Sequence, residues 1–325
     1  MPTENFSQRG GMRPLSKRVR AYFAPVARVT STPAVFDPAA SPAFPLDTPP
    51  PPWIDAGWVL NFQRRSSTAI EALTTGPRGL AQKQFRNDVN ASVEFDFLDW
   101  GKLQMAISAG CQQMNLLREA ESAGPAPSGA AARPAVAVLA GSSASEIVVG
   151  ASVLSDFSAG DLIVVDSDYQ QQTGYVGDIA GAYINDPAEV QFDIDYRRRV
   201  SFRVGRVSSK TGAALVLSAP LPGGMPPAES AVQKVIGFVD REGGDFFQEW
   251  SALFVVESET GARIFYHYPR LQPRAAASES SREVAGFDAW SLHAALIALP
   301  TTDANDSQPV LCYRSFIPAS HAAVN

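Results

Sequence analysis

Asp193 and Asp195, in the run VQFDIDY (190–196), are the residues whose type and spacing come nearest to a reaction. On a strand, side chains at i and i+2 share a face. Two carboxylates placed so suit the acid and base of a glycosidase, or a Ca²⁺ ion. Asp240 and Glu242 repeat the spacing. Such pairs are also ordinary on the solvent face of a strand, where the charge stays hydrated. The histidines, His267, His293 and His321, stand in no HExxH or HxH pattern and have no cysteine nearby. They offer no metal site, and His267 and His293 read as ordinary sheet histidines that could be neighbours across a sheet. The chain has no GxSxG elbow, no GxxxxGK[ST] loop, and no GxGxxG between a strand and a helix. No catalytic residue, cofactor or metal ligand is therefore assigned, and the expectation is a protein that is not an enzyme.

The remaining chemistry is that of surfaces. The loop DREGGDFFQE (240–249) sets four acids and one base around two glycines, with Phe246, Phe247 and Trp250 beside them. Apolar groups flanked by charge suit a subunit interface, or equally a core strand after a surface turn. Trp250 opens a hairpin: Ser251–Val256 and Ile264–Tyr268 are β-forming runs, separated by polar and glycine turn residues and stopped by Pro269 and Pro273. Arg18, Arg20, Phe246, Phe247, Trp250, Tyr266 and Tyr268 are the candidate interface residues, on their basic or aromatic character.

These residues must be held by a mostly β framework. Gly (24) and Pro (25) are plentiful in the 325 residues, 45% are hydrophobic and 18% charged, so the chain can pack a core from many short elements. Residues 1–52 read as a basic, Pro-rich arm ending in TPAVFDPAASPAFPLDTPPPP, with a short strand over Tyr22–Thr32. WIDAGWVLNF begins the first core strand; Ser67–Leu73 is a strand or turn and Thr74–Gly79 a loop. Asn90–Phe97 alternates as a half-buried strand. Asp99 then caps a helix whose stripe is Leu103, Ile107, Cys111, Met114 and Leu117. Residues 121–134 are a linker, 135–234 an inserted β domain of short strands (VQFDIDY among them), and 235–325 the resumed core. Within that last part Arg274–Ser281 reads as a loop, the first half of Phe287–Leu299 as a strand, and VLCYRSFIP as a final strand.

Net charge is −6, divided unevenly: the first 30 residues hold six basic groups against Glu4 alone, and the rest carries −11. A basic arm on an acidic body suits self-assembly, and the acidic body argues against tight wrapping of nucleic acid. Cys111 and Cys312 read as reduced thiols of a protein made in a cytoplasm. No apolar run reaches the roughly 20 residues of a membrane span, and no signal peptide is visible, so a soluble protein is expected.

The order GWVLNF, then VEFDFLDWGKLQMAISAG, a β insertion, GARIFYHYPRLQP and a closing FDAWSLHAAL resembles that of bacteriophage major tail tube proteins. Gly261, Ile264, Tyr266, Tyr268 and Pro269 fit the family's strand-leaving-a-turn phrase; the resemblance spans about residues 53–120 and 235–320. It implies a β-sandwich or barrel core with a flanking helix. It also implies homohexameric rings stacked into a tube through which genomic DNA passes without specific binding, contacts with other tail proteins, and residence in the virion tail after assembly in the host cytoplasm. The arm and the insertion depart from the simplest members. Two other classes stay open: a carbohydrate-binding or glycan-cleaving β protein using Asp193, Asp195 and exposed Trp or Tyr, and a capsid decoration or baseplate protein.

Overall fold

The computed structural model describes residues 18–27, 29–75, 80–109, 116–118, 133–166, 190–226, 230–238, 248–259, 261–274, 278–284 and 287–319. The fold is mainly β, with two short α-helices among the described residues, and divides into two compact units. Unit 1 takes residues 1–24, 33–99 and 250–325; unit 2 takes 25–32 and 100–249. The chain therefore crosses between units at places other than the sequence suggested. The helix and the segment up to residue 249 cluster with the insertion instead of with the core.

Unit 1 is built on eight strands in the order β13 (Ser278–Val284), β14 (Phe287–Ala298), β3 (Leu80–Phe97), β2 (Ile54–Thr75), β1 (Val19–Pro25), β11 (Trp250–Glu257), β12 (Arg263–Pro273) and β17 (Tyr313–Ile317). β12 also pairs with β14, through Leu271 opposite Ala298 and Pro273 opposite Leu296, and this closes a six-stranded barrel. Period-2 alternation sorts its side chains. Phe23, Phe95, Phe97 and Phe254 meet inside, with Phe23 and Phe254 edge to face at 5.8 Å. Neighbours of opposite parity, Tyr22, Leu253, Val255 and Phe265, face a second core.

That second core is completed by the Pro-rich segment. Phe36, Phe44 and Trp53 pack on Tyr22, Leu253, Val255 and Phe265, and all are buried. The segment is thus a strap on its own barrel, and β1, inside the expected arm, is a barrel strand. Proline forbids a ladder here, so side chains and isolated hydrogen bonds hold the strap. Tyr22 Oη donates to Leu46 O at 2.9 Å, Ala34 N to Ser251 Oγ at 2.8 Å, and Arg263 Nη1 to Phe44 O at 2.6 Å.

β2 and β3 are far longer than expected, 22 and 18 residues. β1 pairs with β2 only over Ile54–Val59, and β14 with β3 only over Ser92–Phe97. Beyond those limits β2 and β3 pair with each other as far as Thr75 opposite Leu80. At ~3.3 Å per residue this two-stranded ribbon extends about 35 Å past Arg64. Of the stretch Arg274–Ser281 read as a loop, Ser278–Ser281 belongs to strand β13 and residues 275–277 lie outside the described residues. The closing run splits into β16 (Pro309–Val310, paired with β15, Thr301–Thr302) and β17.

Unit 2 is a small barrel-like sheet ordered β4 (Leu116–Arg118), β10 (Ala231–Phe238), β7 (Leu162–Asp166), β8 (Gly205–Thr211), β9 (Ala214–Leu217) and β6 (Glu146–Val148), with β5 (Val136–Ala137) on β10. Leu139 N donates to Val148 O at 2.8 Å and carries the chain from β5 round to β6. Ile147, Phe157, Ile163, Val165, Leu215 and Val232 fill it. Helix α1 (Lys102–Ala109) buries Leu103, Ala106 and Ile107. It opens at Gly101, whose carbonyl accepts from Met105 N, not at Asp99. It is shorter than the apolar stripe: Leu117 lies on β4, while Cys111 and Met114 fall outside the described residues.

Candidate functional site

The two carboxylates that looked most like chemistry do not share a strand face. VQFDIDY forms a 3₁₀ turn (Val190–Phe192) leading into helix α2 (Ile194–Val200). Asp193 is the N-cap, its Oδ1 accepting from Tyr196 N at 2.9 Å, and Asp195 is buried against Arg198 at 3.2 Å. A cap and a salt-bridged acid suit a helix N-terminus, where exposed amides favour negative charge. Arg198 also donates to Pro222 O (2.5 Å) and Gly224 O, and Arg199 pairs with Asp166 on β7. These buried groups tie α2 to the small barrel. Burial, with Arg203 nearby, lowers the Arg197 pKa to about 10. The glycosidase geometry expected of Asp193 and Asp195 is overturned by this arrangement; Asp240 and Glu242 lie outside the described residues.

His267 and His293 are not partners across the sheet, and His321 lies outside the described residues. His267 stands opposite Leu253 and Tyr313, whereas His293 stands opposite Asp96 and Ser278. His293 Nδ1 lies 2.7 Å from Asp96 Oδ1, whose other oxygen accepts from Asn61. His267 is buried, with Nε2 3.1 Å from Ala34 O, and burial lowers its pKa to about 4. Among the described residues no group of three His, Cys, Asp or Glu could hold a metal ion, and no helix is long and apolar enough to cross a membrane.

The candidate interface residues divide. Trp250 and Tyr268 are fully buried inside the barrel, so the expectation that they present exposed aromatic surface is corrected. Alternation along β11 and β12 turns both inward with Phe254, whose ring lies 6.1 Å from that of Tyr268. Tyr266 is half-buried, its ring 5.8 Å from Phe62 and 5.6 Å from the Arg64 guanidinium, while Arg64 Nε donates to Tyr268 Oη at 3.2 Å. These groups anchor the root of the ribbon. Arg20 is held within its own chain, pairing with Asp55 at 2.5 Å and Asp47 at 2.7 Å and lying over Trp58; the Asp55 bond, outweighing burial, raises its pKa further. Arg18 is exposed, and Phe246 and Phe247 lie outside the described residues.

Two features remain as possible sites. Unit 2 has a half-open groove of about 530 Å³ between β5, the turn at Phe157 and β10, lined by Arg133, Val136, Phe157, Val232 and Lys234. Its lining is mostly apolar, and Lys234 is paired with Asp161 at 3.1 Å. Unit 1 has the ribbon, which among the described residues pairs with no third strand and exposes Ile70, Val89, Arg65 and Lys83. Sequence reading missed the ribbon because its polar and small residues hide the strand pattern. The signal was the run TTGPRG, rich in turn-forming residue types, between Thr68–Ile70 and Phe85–Val89. No family model matches the chain, and no curated protein matches it.

Proposed function

We propose that this chain is a structural virion protein, a tail tube subunit that assembles into hexameric rings stacked around a DNA-conducting channel. The observation that carries the reading is a closed barrel extended by a two-stranded ribbon whose edges find no third strand among the described residues. An isolated two-stranded ribbon is marginal in water, and a long free edge invites pairing with another chain. Assembly supplies the missing partners, and a polymer of identical units gives each ribbon the same one. The order of sequence segments that resembles tail tube proteins supports this reading, and the acidic body suits a lumen along which DNA slides. Its partners are then other copies of itself, other tail proteins and passing DNA, and its place is the virion tail after assembly in the host cytoplasm.

Negative-stain microscopy across a concentration series tests the proposal. Rings or hollow tubes of uniform width are expected. Compact monomers at every concentration would sink it.

A further inference from the structure

The strand register decides which elements lie at which end of the barrel. β3 and β14 are antiparallel, with Phe97 opposite Leu292 and Ser92 opposite Ile297. Residues 80–91 of β3 therefore run past the C-terminal end of β14. Residues 287–291 of β14 run past the C-terminal end of β3, where they pair with β13 alone. The β2–β3 ribbon and the β13–β14 hairpin thus leave the barrel at opposite ends.

The two ends are complementary. Along the ribbon strands the sequence places Arg64, Arg65, Lys83 and Arg86 against Glu71 and Asp88; along the hairpin it places Glu279, Glu283 and Asp288 against Arg282. One end is net basic and the other net acidic. Each exposes large apolar side chains: Ile70 (60%) and Val89 (40%) on the ribbon, Trp290 (52%) on the hairpin. Trp290 is held upright by its Nε1, which donates to Glu279 Oε2 at 2.7 Å. Each also ends in a strand with one unpaired side among the described residues, β3 before Ala91 and β13 throughout.

We propose that copies of this chain join head to tail, the β13–β14 hairpin of one copy adding edge to edge on the β2–β3 ribbon of the next. Backbone pairing supplies the contact, charge sets its polarity, and Trp290 packs against the apolar residues of the ribbon. Like ends repel, so the contact is heterologous and repeats from each copy to the next. This inference rests on the self-assembly reading above and specifies the contact within it.

The test is a charge swap in the full chain, read by sedimentation and microscopy. R65E/K83E alone and E279K alone are each expected to raise the concentration needed for assembly about tenfold, equivalent to ~1.4 kcal/mol. Mixing the two variants should restore assembly as an alternating polymer, since the first keeps its acidic hairpin for the unaltered basic ribbon of the second and its acidified ribbon meets the second's E279K hairpin. The triple variant should assemble at a lower concentration than R65E/K83E. Trp290→Ala should weaken assembly with no charge change. Wild-type assembly indifferent to all these changes overturns head-to-tail docking and leaves the tube reading standing. Wild-type protein that stays monomeric overturns both. All four positions are exposed, so thermal unfolding of each variant should match wild type.

Discussion

His267 shows how one side chain makes a strap conditional on pH. Its ring sits between Phe36 and Trp53, near-perpendicular to both, and lies parallel to Tyr313 at 5.7 Å. Nε2 faces the Ala34 carbonyl, so it carries the proton of the neutral ring, while the buried Nδ1 meets no hydrogen-bond partner. A second proton would create a buried cation with no carboxylate beside it among the described residues. Because burial lowers the folded pKa to about 4, the unfolded chain binds the proton more readily between that value and about 6.5. Stability from this group is therefore complete above pH ~6.5 and lost as pH falls toward 4. Between pH 7 and 4.5 the expected loss is about 2–3 kcal/mol by linkage. Urea denaturation at the two pH values should show it, and His267→Gln, which keeps a donor for Ala34 O, should remove most of that difference. An equal pH dependence in the variant would assign the loss to the carboxylates instead.

At the scale of elements, the strands with strong alternation were legible and those whose partners lie elsewhere were not. Asn90–Phe97 follows its alternating pattern because one face meets a core, and the β-forming runs of the Trp250–Tyr268 hairpin are strands because a core lies on both of their faces. The hairpin aromatics were harder to place, since alternation says which residues share a face but not which face is closed over. Trp250 and Tyr268 are hidden because the sheet curls into a barrel, a long-range event no local pattern records. The strap misled in the opposite direction. Its prolines announce a segment without regular structure, yet Phe36, Phe44 and Trp53 are spaced to fill the hollows over β1, β11 and β12. Phe44 lies edge to face with Tyr22 at 5.0 Å and with Phe36 at 5.6 Å. Phe44→Ala is expected to destabilise unit 1 by about 3–5 kcal/mol, the cost of a large cavity in a core. A loss below ~1 kcal/mol, measured by denaturant titration, would mean that the strap is loosely held. VQFDIDY failed for a different reason: its alternation coincides with a cap and a helical pair, Tyr196 and Val200, and the helix satisfies both.

For the whole molecule, the division into two units has an energetic consequence. The apolar cluster of Ile147, Phe157, Ile163, Val165, Leu215 and Val232 is drawn wholly from unit 2, and that of Tyr22, Phe36, Phe44, Trp53, Leu253 and Phe265 wholly from unit 1. Cooperative unfolding follows shared packing, so separate cores open as separate units. Ile163 on β7 is fully buried, flanked by Lys234 on β10 and Gly205 on β8. Ile163→Ala should therefore destabilise unit 2 by about 2–5 kcal/mol. Its effect on hydrogen exchange should be local, with β7, β8 and β9 exchanging roughly a hundredfold faster for a loss near 3 kcal/mol. Amides of β11 and β12 should exchange at their wild-type rate. Exchange that quickens equally in both sets would mean that the chain opens as a single cooperative body. The local outcome would mean that unit 2 can vary or unfold without releasing the barrel, which leaves an assembly built through the barrel's two ends intact.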